Sequence, residues 1–251
     1  MKSSSIKTQN NQVMPAGGRL WLPSNLGGNL KGFWVNANTI GGGDGDAISS
    51  FQDDFGQVTF ANATAAQQPQ IEKNSLKGLT GIKWVLGGGD NLAGTWSDGV
   101  NIGTGDLYMI GLCSHDGSMD NNPTMIGVSF SNSPSQRFMI QRSASNDKFR
   151  LFQTGATINS NSAISDDTPV IVGAVRTSGT SRLFIDGSVQ TETTSTAANL
   201  TNSAVKLGSE SAQFGAWSGV IYEVIVGRGT LTDSDRERIE GYLAHKYGRQ
   251  G

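Results

Sequence analysis

Glutamate side chains that could act in acid–base catalysis are few in this 251-residue chain. They stand at positions 72, 192, 210, 223, 237 and 240, and none has an Asp or Glu two residues away in a segment with a strand pattern. A retaining glycosidase places two carboxyl groups about 5 Å apart, the distance between neighbours on one face of a strand. We therefore expect a protein that is not an enzyme.

Cys113 and His115 are the other candidates for nucleophilic chemistry, and the one further histidine is His245. Cys113 ends an apolar run over residues 107–113, which predicts a buried, unreactive thiol. A single cysteine forms no internal disulfide, and two histidines are too few for a His-rich zinc site. We expect His245 to face solvent or to interact with the helix dipole, near the C-terminal end of a helix.

Two loops rich in Gly, Asp and Asn, residues 41–46 and 114–122, offer carboxylates of the kind that bind calcium. Neither loop follows the EF-hand spacing, since the twelfth position counted from Asp44 is Phe55. A solvated loop is the simpler interpretation of each. Calcium is the alternative, and we expect no other cofactor.

Glycan binding requires an exposed aromatic ring and a few polar groups for the sugar hydroxyls. Trp96 lies between turn residues, whereas Trp34, Trp84 and Trp217 lie in strand-like segments and are expected in the core. The candidate glycan contacts are Trp96, Asp98, Asp116 and Asn121.

Composition limits the remaining function classes. Only 16 % of residues are charged, Gly occurs 34 times, and the net charge is −2. A chain with this balance has no general attraction to nucleic acid or to an anionic membrane surface. It has neither an apolar run of 18 residues nor the apolar core of a signal peptide, so we expect synthesis in the cytoplasm without secretion.

Short apolar segments separated by Gly, Asn, Asp and Ser predict an all-β sandwich or barrel. Asp186-Gly187 between two such segments is the strongest hairpin signal, because Asp and Gly accept the positive φ of a tight turn. Ten strands are expected at 82–86, 106–113, 124–131, 137–142, 149–153, 170–176, 181–186, 189–193, 205–208 and 219–227.

One amphipathic helix is predicted near the C-terminus. Thr232 and Asp235 form an N-terminal capping pattern, and Gly248 supplies a left-handed stop. The apolar stripe of this helix consists of Ile239, Tyr242, Leu243 and Tyr247.

Residues 1–30 have no strand or helix pattern and are interpreted as an extended N-terminal arm ahead of a sandwich domain over 31–251. The arm either contacts a partner or folds back on its own domain. Its candidate anchors for assembly are Val13, Met14, Leu20, Trp21, Leu22 and Leu26.

The chain resembles the concanavalin A-like lectin/glucanase superfamily in its laminin G-like form. The resemblance spans about residues 32–248 and is carried by the order and spacing of several loose motifs: Phe33-Trp34-Val35, Phe51-Gln52-Asp53-Asp54-Phe55-Gly56, Gly78 to Trp84, Leu183 to Gly187, Val205 to Gly208, Gly219 to Val226 and Leu231 to Gly248. Trp84 stands where the family usually has Phe. The resemblance implies a two-sheet antiparallel jelly roll, and a position for Glu223 at the sheet edge. The acidic glucanase motif of the superfamily is missing.

A bare laminin G-like domain with this terminal helix is similar to structural proteins of tailed bacteriophages. That resemblance implies a non-enzymatic virion protein, most simply a capsid decoration or cement protein that stabilises the shell through its arm and one sheet face. The implied partners are a major capsid protein or tail subunits and further copies of this chain. The alternatives are a tail- or fibre-associated component and a lectin-like adhesion module that binds a host glycan.

Overall fold

A computed structural model describes residues 21–29, 31–86, 90–118, 121–128, 137–153, 156–195, 197–209 and 215–249. Its strands form two eight-stranded antiparallel sheets, and its one described α-helix lies near the C-terminus. The prediction of an all-β, two-sheet sandwich with a C-terminal helix is confirmed. Residues 1–20 and 30 of the predicted arm lie outside the described residues, and the boundary at residue 31 stays a prediction.

Sheet A has the strand order β14-β13-β12-β7-β16-β5-β4, and β1 also pairs with β16. Its strands are β1 Lys31–Asn36, β4 Gln70–Leu76, β5 Leu79–Trp84, β7 Leu107–His115, β12 Val170–Thr177, β13 Thr180–Ile185, β14 Ser188–Thr194 and β16 Gly219–Arg228. The first half of β16 pairs with β5 and the second half with β1.

Sheet B has the order β11-β10-β9-β8-β15-β6-β3-β2. Its strands are β2 Ser50–Gln52, β3 Thr59–Ala61, β6 Leu92–Thr95, β8 Thr124–Val128, β9 Phe138–Arg142, β10 Phe149–Gln153, β11 Ala156–Asn159 and β15 Ala204–Leu207.

The main core fills the space between the sheets, because alternate residues of each strand point inward. Its largest side chains include Phe33, Trp84, Trp96 and Trp217, all fully buried. Cys113 belongs to this core, and burial raises the pKa of its thiol far above the usual range. The prediction of a buried, unreactive cysteine is confirmed.

The α-helix, α1 Asp233–Lys246, covers part of the outer face of sheet A. The Thr232 hydroxyl accepts a hydrogen bond from the Asp235 amide at 3.1 Å, and Gly248 has φ +64°. The four residues of the predicted stripe are all buried in a second apolar cluster. No helix in the described ranges is long and apolar enough to span a membrane.

The ten predicted strands are present with ends that differ by a few residues, although residues 129–131 lie outside the described part. Sequence reasoning from periodicity missed β1, β2, β3, β4, β6 and β11, most of which are short or largely polar. Asp186 and Gly187 have φ +46° and +80° and connect β13 to β14, as the hairpin signal predicted.

Candidate functional site

The four predicted glycan contacts lie at opposite ends of the sandwich. Asp98 pairs with Arg228, which lies beside Leu107 at the start of β7. Asp116 directly follows His115 at the end of β7. Eight residue steps along a strand separate these ends by about 26 Å. Trp96 and Asp98 therefore belong to one end, Asp116 and Asn121 to the other, and one ligand ring cannot contact both pairs.

The expectation that Trp96 is exposed is wrong. Its side chain is 0 % exposed and packs edge-to-face against Phe33, with ring centroids 5.4 Å apart. The turn residues that follow it form a short helical turn, Ser97–Asn101, which leaves the ring pointing into the core. Trp96 therefore does not offer its face to a sugar.

A groove among the described residues, here called the Arg228 groove, lies at the Asp98 end and has a volume of about 530 Å³. Three strand ends meet there, because Lys31 of β1 lies beside Arg228 of β16 and Arg228 lies beside Leu107 of β7. The lining residues are Lys31, Asn101, Ile102, Gly105, Asp106, Arg228, Gly229 and Thr230. Lys31, Arg228 and Asp106 lie in the groove, and Asp98 lies beside it. Two positive charges thus face two negative charges.

Asp106 and Arg228 are the fixed polar groups of this groove. The Asp106 carboxylate accepts hydrogen bonds from the Ser178 amide at 2.7 Å and from the Thr230 hydroxyl at 2.6 Å. Arg228 donates through Nη2 to Asp98 at 3.1 Å. These contacts hold the loops before β7 and after β16 in place.

Arg176 of β12 supports the groove from behind. It is fully buried and donates to the carbonyls of Gly105, Ala198 and Gly103 at 2.8, 2.8 and 3.1 Å. Burial lowers the pKa of its guanidinium to about 10, a value at which it is still charged at neutral pH. The carbonyl of Gly105, a lining residue, is thus fixed by a buried cation.

A second buried arginine has the same role at the other end. Arg142 donates to Asp166 at 2.6 Å and to the Ile164 and His115 carbonyls at 2.9 and 3.4 Å.

Asp116, one of the predicted glycan contacts, accepts a hydrogen bond from the Ser218 hydroxyl at 2.7 Å and so holds two loops together. Burial, with the nearby Arg142 charge, lowers the pKa of His115 to about 4. A groove of about 280 Å³ at this end contains Asp116 and Asp167.

The two acidic loops do not assemble a metal centre in the described part of the chain. No group of three or more His, Cys, Asp or Glu side chains there is arranged to hold an ion. In the first loop Asp44 accepts from the Lys73 amide and Asp46 from the Gly43 amide, at 2.7 and 2.6 Å.

The described part of the arm contacts its own domain. Trp21 packs edge-to-face on Tyr242 of α1 with ring centroids 6.3 Å apart, and Leu26 packs on the same outer cluster. Leu22 is 38 % exposed. Three further predicted anchors, Val13, Met14 and Leu20, lie outside the described residues.

Glu223 does not lie at a sheet edge, as the resemblance implied, but in the central strand β16 beneath α1. Its carboxylate accepts from Trp34 Nε1 and Lys246 Nζ, each at 2.6 Å, and from the Tyr247 hydroxyl at 3.1 Å. Burial raises its pKa, while Lys246 opposes that shift. Sealed in this way, Glu223 has no access to a substrate.

The chain is similar to Trypanosoma rangeli sialidase, with 12 % identity, a TM-score of 0.63, and coverage of 96 % of this chain and 36 % of the sialidase. The likeness shows the fold alone. An α-L-arabinofuranosidase soaked with a cyclic sulfate inhibitor matches with 11 % identity and TM-score 0.60, covering 80 % of this chain and 51 % of that one.

The binding domain of botulinum neurotoxin serotype D also matches, with 13 % identity and TM-score 0.54 over 78 % of this chain and 51 % of that one. This chain thus spans about a third to a half of the length of the structures it matches. No family model and no curated protein matches the sequence. The neighbours are sialidases and other lectin-like β-sandwich domains, several of them parts of enzymes.

Sequence reasoning missed Lys31, Asn101, Asp106, Arg228 and Thr230. The available signal was their position, because each stands at or just beyond the end of a strand or turn. Only the pairing of β1, β7 and β16 shows that these ends meet, and that pairing is not readable from local pattern.

Proposed function

We propose that the chain is a non-catalytic carbohydrate-binding module that holds a neutral saccharide in the Arg228 groove. The observation that carries this proposal is the groove itself. Cationic, anionic and neutral polar side chains surround an open volume of about 530 Å³ there. Sugar hydroxyls both donate and accept, so a balanced set such as Lys31, Asn101, Asp106 and Thr230 suits them better than a single charge.

The absence of catalysis is part of the proposal. Glycoside hydrolysis requires a carboxylic acid and a carboxylate that both face the substrate. In the groove, both carboxylate oxygens of Asp106 accept hydrogen bonds, and Asp98 is paired with Arg228. The hydrogen bonds of these two carboxylates hold loops in place. The similarity to enzymes, at 11 to 12 % identity, identifies no catalytic residue in this chain.

A glycan array probed with the full chain tests the proposal. We expect neutral glycans to bind the wild type and Lys83→Gln alike, and to bind Lys31→Gln about tenfold more weakly, as for the loss of one charged hydrogen bond. Lys83 is the matched control because it is an exposed lysine of sheet A outside the groove. Absence of binding by the wild type, or equal binding by all three proteins, contradicts the proposal.

A second candidate function is a structural component of a tailed-bacteriophage particle, either a capsid decoration or cement protein or a tail- or fibre-associated one. The resemblance of the terminal helix supports it, as does Leu22, which stays exposed beside the Trp21 contact. Its partners would be capsid or tail subunits and further copies of this chain. The chain would then add to purified shells that lack it, and Leu22→Ala would weaken that addition without lowering the melting temperature. Shells that take up none of the wild-type chain would exclude this function.

A further inference from the structure

The helix α1 covers only part of the outer face of sheet A, and a groove lies on another part. Along β7, β16 and β5 alternate residues belong to the main core, so the residues between them point outward. Register places Ser114, Val220 and Lys83 in one outward row, because Ser114 pairs with Val220 and Val220 with Lys83. This row lines the groove of about 280 Å³ that also contains Asp116 and Asp167, here called the Ser114 groove.

The carboxylates of the Ser114 groove outnumber its cations. Glu72 forms an ion pair with Lys83 at 3.1 Å, so these two charges cancel. Asp116 and Asp167 line the groove as well, and neither forms an ion pair with another described residue. Arg142, the buried arginine at this end, pairs with a different aspartate at 2.6 Å. The end of the groove beside β7 is therefore negatively charged, which favours a cation.

Hydrogen bonds fix the backbone of both aspartates. The Asp167 amide donates to the His115 carbonyl at 2.7 Å, which holds Asp167 beside the end of β7. The Asp116 carboxylate accepts from the Ser218 hydroxyl at 2.7 Å and from the Ser118 amide at 2.8 Å. An ionised carboxylate has about four acceptor positions, so Asp116 can accept further hydrogen bonds. The Asp167 carboxylate makes none within the described ranges, and all of its positions are open to a ligand.

A buried hydroxyl group gives independent evidence for a ligand. Ser114 is only 6 % exposed, yet it lines the groove, and its hydroxyl makes no hydrogen bond to another described residue. Buried polar side chains in folded proteins are nearly always paired. A ligand that carries a hydroxyl group supplies the missing partner of Ser114, because hydroxyl groups both donate and accept.

The other end of the groove is polar but electrically neutral. Glu72 and Lys83 neutralise each other there, and Ser75 and Tyr222 add hydroxyl groups to the lining. A second ammonium group at this end would be repelled by Lys83, which disfavours a linear diamine. Ligand hydroxyl groups fit it instead. The volume is slightly below the roughly 300–1,000 Å³ of pockets for drug-sized ligands, so the groove suits a single sugar ring.

We propose that the Ser114 groove binds an amino sugar, with its ammonium group on Asp116 and Asp167 and a ring hydroxyl on Ser114. An ammonium group has three donors, and hydrogen bonds between two charged groups are stronger than neutral ones. Val220 supplies an apolar floor beneath the ring. The Ser114 groove and the Arg228 groove lie at opposite ends of the sandwich, so this site does not depend on the proposed function.

NMR titrations of the isotope-labelled full chain test the proposal at about pH 6, where a free amine is protonated. The ligands are glucosamine, N-acetylglucosamine, which lacks the charge, and putrescine, which lacks the sugar ring. We expect glucosamine to shift the amide signals of residues 114–117 and 167, and to bind about tenfold more tightly than either of the others.

Asp167→Asn should weaken glucosamine binding about tenfold. Asparagine accepts the positive φ of this position, +55°, so the loop keeps its conformation. Asp233→Asn is the matched control, because it removes the same charge from a side chain of α1 that is 78 % exposed. That variant and Lys31→Gln in the Arg228 groove should bind glucosamine as the wild type does. Ser114→Ala should also weaken binding, and it decides the matter if Asp167→Asn does not fold.

Several results would overturn the proposal. Equal binding of N-acetylglucosamine at the same residues would remove the role of the ammonium group, and equal binding of putrescine would remove the role of the ring. A wild-type chain that does not bind glucosamine, or an equal loss in Asp233→Asn, would exclude the site. Shifts beside Arg228 that Lys31→Gln abolishes would assign glucosamine to the Arg228 groove, which contradicts this proposal and leaves the proposed function standing.

Discussion

The outer faces of the two sheets are built from the same kind of strand but are used differently. On sheet A the helix α1 covers part of the face, and the buried carboxylate of Glu223 is matched by Lys246. On sheet B the described strands carry cations and no carboxylate, and Arg150 is held by the amide of Gln141. The buried carboxylate beneath α1 is thus matched by an ammonium group, whereas the Arg150 guanidinium of sheet B is held by a neutral amide.

The largest effect should come from the apolar contact between α1 and sheet A. Leu243 is fully buried, so Leu243→Ala should leave a cavity and lower the free energy of unfolding by about 2–5 kcal/mol. Arg238→Ala on the exposed side of the helix should change it by less than about 0.5 kcal/mol. Denaturant titrations of both variants measure the difference. If the two substitutions lower the free energy of unfolding by equally small amounts, Leu243 does not pack against sheet A.

Glu223→Gln removes the charge beneath α1 but keeps an acceptor for the indole of Trp34. We expect the free energy of unfolding to fall by about 1–3 kcal/mol, because Lys246 loses its counter-ion in a largely buried setting. The control is Glu72→Gln, which breaks a more exposed pair with Lys83 and should cost about 0–1 kcal/mol. A variant as stable as the wild type would mean that the buried pair contributes nothing to the closed face.

Glu240 makes the stability of the α1 face depend on pH. It is buried beside Arg236, and burial raises its pKa to about 7. Since its unfolded pKa is near 4.5, the folded state keeps a proton that the unfolded state loses between these values. Stability should therefore fall as pH rises from about 5 to about 7.

The difference between wild type and Glu240→Gln isolates this effect from His115, whose lowered pKa gives the opposite slope. Melting temperatures across that range should converge at low pH and separate as pH rises, with the wild type becoming the less stable protein. Glu72→Gln, which removes a carboxylate from β4 and not from α1, should keep the wild-type slope. A flat difference curve would contradict the assignment to Glu240.

Local pattern predicted most of the longer apolar strands and the cap and stripe of α1, because alternation and capping are properties of neighbouring residues. It did not predict that Arg236 and Glu240 are buried, since charges four residues apart on a helix usually mark the solvent side. Trp96 was misplaced because turn residues around an aromatic ring do not report what lies beneath it. The Arg228 groove and the hydrogen-bonded row of Arg150, Gln141 and Thr124 on sheet B depend on strand order, which brings together residues distant in sequence.

The most direct test of the proposed function is to measure binding and cleavage in one sample. A neutral glycan selected on the array is incubated with the full chain, its binding is followed by calorimetry, and the glycan is then recovered for mass spectrometry. We predict saturable binding that Lys31→Gln weakens and a glycan of unchanged mass. A wild-type chain that binds no neutral glycan, or one that cleaves the glycan it binds, would contradict the account.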